Sequence, residues 1–257
     1  MNKNMIAFLV SMVVIFFVLP EAEGGTFNQS LFDQILREYV DDEGLIDYNG
    51  IAGNSRFQTY MASLKTVKTE DMSRNEQLAF WINAYNAVTI DKVIKWKPKK
   101  SVRETIIPGV WSSTKFFTTR EHIVAGSRLS QDDIEHEILR KKLKDPRIHF
   151  AIICASSGCP LQARFAFTEE NVQARLDEVT RQYLDSERGI RIDEAENTLY
   201  LSRIFDWFGS DFVAKSGSVI DFVSPYLKKE VLMFIDRKPK ISYLHYDWAL
   251  NAKEPLR

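Results

Sequence analysis

The chain has 257 residues, of which 45% are hydrophobic and 12% aromatic, so it carries enough apolar side chains for a sizeable core. Its 34 basic and 35 acidic residues almost cancel, and the sequence shows no basic patch of the kind that binds nucleic acid. It also contains no phosphate-binding loop and no dinucleotide-binding fingerprint, and no cofactor is predicted.

A targeting segment is predicted over Met1–Gly24. Lys3 supplies a positive start, Met5–Leu19 is an apolar core, and Ala22-Glu23-Gly24 places small residues where a signal peptidase needs them. The apolar core has 15 residues, fewer than the roughly 18–20 that span a bilayer. We expect an exported protein, periplasmic or extracellular, whose residues 25–257 form a single globular domain. The alternative is an uncleaved segment, which would then be the chain's one contact with a membrane.

A long, buried helix is predicted after two shorter ones, Phe27–Val40 and Phe57–Leu64. Ser73 and Glu76 have the spacing of a capping box, and apolar residues then cover nearly every face as far as Trp96. A helix that is apolar all round belongs in the interior of a protein.

Three polar residues interrupt this helix. Glu76 and Asn83 are seven residues apart, which places them on one face, and Asn86 lies on a neighbouring face. A buried amide needs partners, because an unpaired one costs about 1–3 kcal/mol. One interpretation is that these side chains tie the helix to adjacent loops. The other is that Glu76 and Asn83 line a pocket.

Strands are predicted mainly in the second half of the chain. Lys115–Thr118 with His122–Ala125, and Gly189–Asp193 with Thr198–Ser202, have the pattern of hairpins, and Ile241–Trp248 alternates as a final strand. Helices gather early and strands late, without regular alternation. This order favours an α+β protein with helices packed on a mainly antiparallel sheet.

The stretch Asp145–Leu161 has the pattern of a functional site. Its apolar residues from Ile148 to Ile153 predict a short buried strand that carries His149 and ends in a loop of small residues. Both cysteines of the chain, Cys154 and Cys159, lie at this strand end. Reactive side chains in a loop that follows a buried strand are a common way to present chemistry.

Cysteine catalysis is one hypothesis for this loop. Cys154 or Cys159 would be the nucleophile, His149 the base, and Glu76 or Asn83 would orient the histidine or polarise a carbonyl. His149 and Cys154 are five residues apart, so a regular strand would point them to opposite faces. A bulge or an early strand end would bring them together.

Three other interpretations of the cysteines stay open. An even number of cysteines in an exported protein favours a Cys154–Cys159 disulfide, which would serve redox chemistry or loop shape. A metal site with a histidine is a second interpretation, but the paired Cys-x-x-Cys pattern is missing and no metal is predicted. The cysteines could also be small buried apolar residues.

Four further residues are candidates for substrate contact: Asn86, Ser156, Ser157 and Arg203. The two serines stand in no G-x-S-x-G turn, which argues against a serine hydrolase. A structural ion pair between Arg203 and Asp206 is favoured over a substrate contact. The expected partner is a small-molecule or peptide-like substrate.

Seven motifs stand out along the chain: Gly44–Tyr48, Asn75–Ala87, Asp133–His136, His149–Ala151, Cys154–Leu161, Leu201-Ser202 and Phe205–Trp207. Together they resemble a known family, the domain of unknown function 547. The resemblance implies a fold distantly similar to papain-like or transglutaminase-like proteins, in which a long helix precedes a His-bearing strand. Those proteins place the nucleophile at the start of the helix, where this chain has Asn75-Glu76-Gln77 and no cysteine.

Relatives joined to glutaredoxin-like domains favour thiol chemistry in general. The resulting hypothesis is a cysteine-dependent hydrolase or acyl transferase that acts on a peptide-like or thiol substrate. The alternatives are a non-catalytic module that binds a ligand or partner, and a thiol-disulfide redox protein that uses Cys154 and Cys159.

Overall fold

The computed structural model describes residues 27–104 and 115–257, in which helices outweigh strands. The α-helices are α1 (Ser30–Tyr39), α2 (Tyr48–Ile51), α3 (Ser55–Ser63), α4 (Arg74–Trp96), α5 (Lys115–Thr118), α6 (Val172–Leu184), α7 (Arg203–Trp207), α8 (Gly209–Ser216), α9 (Val219–Val223) and α10 (Lys229–Ile235). A π-helix, Asp133–Leu143, and a 3₁₀-helix, Pro146–Phe150, lie between α5 and α6. Two short 3₁₀ turns cover Leu64–Thr66 and Ser224–Tyr226.

The strands form two small sheets. They are β1 (His122–Val124), β2 (Ser127–Leu129), β3 (Ile190–Asp193), β4 (Thr198–Leu201) and β5 (Lys240–Tyr243). β1 and β2 make a hairpin, whereas the second sheet has the order β3-β4-β5, with β3 antiparallel and β5 parallel to β4. The α+β class is confirmed.

The predicted targeting segment, Met1–Gly24, lies outside the described residues. Within the part of the chain that the structure does describe, no helix is long and apolar enough to cross a membrane.

The first predicted hairpin, Lys115–Thr118 with His122–Ala125, has the wrong partner strand. Lys115–Thr118 is helical, and His122–Val124 pairs instead with Ser127–Leu129. Ala125 and Gly126 both have positive φ, 47° and 72°, which is the backbone of a two-residue hairpin turn. The hairpin of β3 and β4 is confirmed, and the predicted final strand is shorter than expected.

Helix α4 lies at the centre of the core, as its apolar pattern predicts. The Ser73 hydroxyl accepts the backbone N–H of Glu76 at 3.1 Å, so Ser73 is the N-cap. The Glu76 carboxylate does not complete the capping box. It accepts the backbone N–H of Phe27 at 2.8 Å and so holds the chain just before α1.

Two asparagines of α4 tie the helix to neighbouring loops. The Asn83 amide donates to Phe167 O at 2.7 Å and accepts Phe167 N–H at 3.0 Å. The Asn86 amide donates to Ala151 O and accepts Ile153 N–H, both at 2.9 Å. Each amide therefore supplies hydrogen bonds to a loop backbone inside the core, where water cannot supply them.

The predicted strand before the cysteines is wrong. Pro146–Phe150 is a 3₁₀-helix, in which Pro146 stands in the first turn and the Asp145 carboxylate caps the N–H of Arg147. Ile148 and Phe150 are buried as expected. A short apolar run predicts burial equally for a strand and for a helical segment, and here the turn chemistry of Asp-Pro decides.

The chain between the cysteines is held by a C-terminal segment, residues 246–251. Ser157 N–H donates to Ala249 O at 2.7 Å, and Gly158 N–H donates to Asp247 O at 2.8 Å. A Cβ on Gly158 would come within 2.9 Å of the Asp247 backbone, so this close approach requires glycine. The C-terminal segment and the cysteine loop therefore fix each other's position.

Replacement of either core asparagine by alanine should destabilise the protein. Asn86→Ala and Asn83→Ala each leave a buried carbonyl and a buried N–H without a partner, so each should cost about 2–5 kcal/mol of unfolding free energy. Urea unfolding measures this cost. Hydrogen exchange should then increase at residues 151–153 in Asn86→Ala alone, with Asn83→Ala as the matched control. Equal exchange at this segment in the two variants would contradict the assigned contacts.

Candidate functional site

Cys154 and Cys159 form a disulfide, and no cysteine is free. Of the alternatives that the sequence left open, this is the one in the structure. The two cysteines are not equivalent, because Cys154 is partly exposed whereas Cys159 is 3% exposed. Ala155 has a φ of +58°, in the left-handed region, so the loop turns sharply directly after Cys154.

Both sulfurs have polar neighbours. The backbone N–H of Cys154 donates to Cys159 Sγ at 2.9 Å. The Tyr246 hydroxyl lies 3.0 Å from Cys154 Sγ and 3.2 Å from Cys159 Sγ, and it is the only one of these atoms that can donate to a disulfide sulfur in this contact. Burial raises the pKa of Tyr246, so the hydroxyl keeps its proton at neutral pH.

A cavity of about 200 Å³ opens beside the disulfide, and both cysteines line it. Six of its fifteen lining residues are Tyr, Phe or Trp. The rings come from Tyr85, Phe117, Trp207, Phe208, Tyr246 and Trp248. The Trp207, Tyr246 and Trp248 rings pack on one another, with centroid distances of 4.6–5.7 Å.

The cavity also has an acidic side, formed by Asp132 and Glu135. Glu135 is 8% exposed, and burial followed by the nearby charge of Asp132 raises its pKa to about 7. Burial also raises the pKa of Asp132. The Tyr85 hydroxyl donates to Glu135 at 3.4 Å. Near neutral pH, Glu135 can therefore give or accept a proton.

The π-helix that carries Glu135 sets this geometry. The Ser130 hydroxyl accepts the N–H of Asp133 at 3.1 Å, and the Asp133 carboxylate accepts the N–H of Ser130 at 2.9 Å. At the other end, Lys144 N–H donates to Leu139 O five residues earlier, the π pattern. The wider turn brings Glu135 and His136, which are adjacent in sequence, to the same cavity. π-Helical segments are frequent at functional sites.

His149 lies in the cavity wall but is engaged away from the sulfurs. Its Nε2 donates to Asp211 at 2.9 Å, and its ring stacks on Phe208 with centroids 4.1 Å apart. Burial lowers the pKa of His149, with Asp211 acting in the opposite direction, so the imidazole is neutral at pH 7. Arg140 binds Asp211 through two bonds of 2.6 and 2.9 Å and fixes that carboxylate.

The structure brings three of the five predicted catalytic residues together, Cys154, Cys159 and His149. Glu76 and Asn83 do not line this cavity. Glu76 faces a second cavity near Phe27, and both oxygen and nitrogen of the Asn83 amide are bound to Phe167. The pocket that the sequence placed next to Glu76 and Asn83 is therefore elsewhere, because α4 turns Tyr85 and not these residues towards the cysteines.

The four predicted substrate contacts all lie outside the cavity in the described part of the chain. Asn86 supports the cysteine loop from behind, and Ser156 is buried with its hydroxyl 3.5 Å from Cys154 O. Ser157 pairs with the C-terminal segment, and Arg203 forms an exposed ion pair of 2.6 Å with Asp206. The contact of Arg203 in the structure is therefore the ion pair with Asp206.

Sequence reasoning missed most of the cavity wall. Tyr85, Glu135 and Trp207 stand inside the motifs that resembled the family, and those motifs were the available signal for them. Tyr246 and Trp248 fell in a predicted strand and gave no signal of their own. Among residues 27–104 and 115–257, no group of three or more His, Cys, Asp or Glu side chains could hold a metal ion.

The fold and the site together define an α+β protein in which a single disulfide faces an acidic and aromatic cavity. Residues 69–184 match the family described as "Protein of unknown function, DUF547", which confirms the resemblance drawn from the motifs. The match extends from the approach to α4 to the end of α6. No curated protein and no solved structure matches the chain.

Glu135 should make the stability of the protein depend on pH. Its folded pKa of about 7 lies above its ordinary value of 4.5, so the folded state binds the extra proton between these values. The stabilisation is complete below pH 4.5 and is lost as pH rises through 7. Compared with Glu135→Gln, the wild-type protein should lose on the order of 3 kcal/mol over this range.

Urea unfolding at several pH values measures this difference. Glu137→Gln is the matched control, because Glu137 lies on the exposed side of the same helix and pairs with Lys141. Parallel stability curves for the wild-type protein and Glu135→Gln would show that the Glu135 carboxyl titrates normally.

Proposed function

We propose that the protein exchanges thiols and disulfides through Cys154 and Cys159. The observation that carries this proposal is the position of the disulfide, which lines a cavity. Cys154 is partly exposed there, and both sulfurs contact the Tyr246 hydroxyl. A structural role alone gives little reason for this placement. A disulfide between cysteines five positions apart stabilises a fold by only about 2 kcal/mol.

The exchange has two steps. The thiolate of an external thiol attacks Cys154 Sγ, the S–S bond breaks, and its electron pair leaves on Cys159 Sγ. A second external thiolate attacks the external sulfur of the mixed disulfide and releases Cys154. Two thiols become one disulfide, and their two protons end on the two cysteines. An external disulfide reverses the sequence and restores the oxidised protein.

The surroundings of the sulfurs favour this direction of attack. Cys154 is the exposed sulfur, so an incoming thiol reaches it first. Cys159 is buried, but its sulfur accepts the N–H of Cys154 and faces the Tyr246 hydroxyl. Both donors would stabilise negative charge on Cys159 as it leaves.

A redox titration tests the proposal. The oxidised protein, recovered from the exported fraction, is equilibrated with glutathione or dithiothreitol buffers, and its thiols are alkylated and counted by intact mass. A disulfide used in exchange should have a reduction potential above about −300 mV. A lower potential would identify a structural cross-link and overturn the proposal.

Tyr246→Phe should slow the reduction about tenfold, because the leaving sulfur loses a hydrogen bond worth about 1.5 kcal/mol. Tyr243→Phe is the matched control, since Tyr243 is exposed on β5 and lies outside the cavity. Equal rates in the two variants would show that the Tyr246 hydroxyl does not assist the exchange.

A second candidate is a cysteine-dependent hydrolase or acyl transferase, which would act in the reduced state. It is favoured by one observation, the His149–Asp211 pair in the same cavity as the cysteines. A papain-like or transglutaminase-like relationship belongs to this candidate and would imply a peptide-like or thiol substrate. Glu76 and Asn83, the predicted orienting residues, would be replaced in that role by Asp211.

Alanine variants of the reduced protein test the second candidate on a panel of peptides and thioesters. His149→Ala and one of Cys154→Ala and Cys159→Ala should abolish turnover while the circular dichroism spectrum stays that of the folded protein. Turnover in all three variants would refute cysteine catalysis. Ligand binding by the reduced wild-type protein without any turnover would instead favour a non-catalytic binding module.

We also propose that the protein is exported, in the periplasm or outside the cell. The Met1–Gly24 pattern supports this location, and so does the disulfide, because disulfides persist in oxidising compartments. The intact mass in the redox titration also reports whether the segment has been removed.

A further inference from the structure

We infer that the cavity selects small thiols that carry a protonated amine. This inference rests on the proposed exchange function and names its substrate class. It comes from three features of one cavity: two carboxyl groups with no lysine or arginine in the described wall, the exposed Trp207 ring, and a disulfide in the same wall.

Neither carboxyl group of the cavity forms a direct ion pair with a described residue, although His136 in the same wall lies close enough to Asp132 to act on its charge. Asp132 and Glu135 line the cavity, and its described wall contains no lysine or arginine. Basic groups around the wall have partners of their own, and one of them, the Arg103 guanidinium, lies 4.4 Å from the Trp248 ring centroid. Arg140 binds Asp211 and His136, and the Lys92 ammonium donates to Thr119 O at 3.0 Å and to Gln131 at 3.3 Å. A bound cation would supply the missing charge.

The aromatic wall suits an organic ammonium group better than a metal ion. Trp207 is 44% exposed and borders the cavity together with Trp248 and Phe117. Ring faces attract alkylammonium groups by about 0.5–2 kcal/mol. By contrast, a hard metal ion needs more oxygen ligands than two carboxyl groups provide.

The size of the cavity and its reacting group complete the description. Its volume of about 200 Å³ is below the ~300–1,000 Å³ of pockets that hold drug-sized ligands. The molecule must also present a sulfur to Cys154, which lines the same cavity. A short aminothiol meets these conditions. An anionic thiol would bring a second negative charge towards Asp132 and Glu135.

Three thiols of similar size and different charge test the inference: cysteamine, mercaptoethanol and mercaptoacetate. Each reduces the oxidised wild-type protein under pseudo-first-order conditions, and the rate is expressed per thiolate and divided by the rate with a neutral small-molecule disulfide. This normalisation removes differences in thiol pKa and nucleophilicity. At low ionic strength, cysteamine should exceed mercaptoacetate by about tenfold or more.

Asp132→Asn should reduce the preference for cysteamine at least threefold. Glu137→Gln removes a carboxylate from the exposed side of the same helix and should leave the preference unchanged. Equal normalised rates for the three thiols would overturn the inference but leave the exchange function standing. Failure of all three thiols, and of dithiothreitol, to reduce the disulfide would overturn the exchange function itself.

Discussion

The geometry of the site depends on one buried amide. Asn86 lies in the middle of the central helix and binds the backbone on both sides of Ile152, through Ala151 O and Ile153 N–H. At this point the chain has just left a 3₁₀-helix and has no strand to pair with. The amide takes the place of a neighbouring strand as the hydrogen-bonding partner of this backbone. It thereby fixes the position of the chain directly before Cys154. A polar residue inside an apolar helix thus positions the disulfide loop without lining the cavity beside it.

The charges and the hydrogen bonds around the disulfide would act in opposite directions on a cysteine thiolate. A thiolate near Asp132 and Glu135 would be repelled, whereas a disulfide carries no charge. The hydrogen bonds to Cys159 act in the opposite direction, because they stabilise the thiolate. The repulsion weakens when Glu135 takes up a proton, which its raised pKa of about 7 permits near neutral pH.

The sequence predicted features that depend on local chemistry. The apolar pattern of α4 and its Ser73 cap, and the β3–β4 hairpin, each appear where the residues indicate. The apolar run before Cys154 could not be assigned in this way, because burial alone does not distinguish a strand from a helical segment.

The cavity was beyond sequence reasoning for another reason. Tyr246 is 92 residues from Cys154, and no local pattern predicts a contact over that separation. The two cysteines and His149 were found because they share one short stretch. Glu135 was not found, because the property that distinguishes it, a raised pKa, arises only from its burial in the folded protein.

The cavity wall is formed by two parts of the chain. The sulfurs, Asp132, Glu135 and His149 lie within residues 69–184, the segment that matches the family. The aromatic residues at positions 207, 208, 246 and 248 lie beyond it. The disulfide and both carboxyl groups of the cavity thus lie in the matched segment, and four of its six Tyr, Phe and Trp rings lie in the chain that follows. A protein that shares only the matched segment would keep the disulfide and the carboxyl groups but would need other residues to complete the cavity wall.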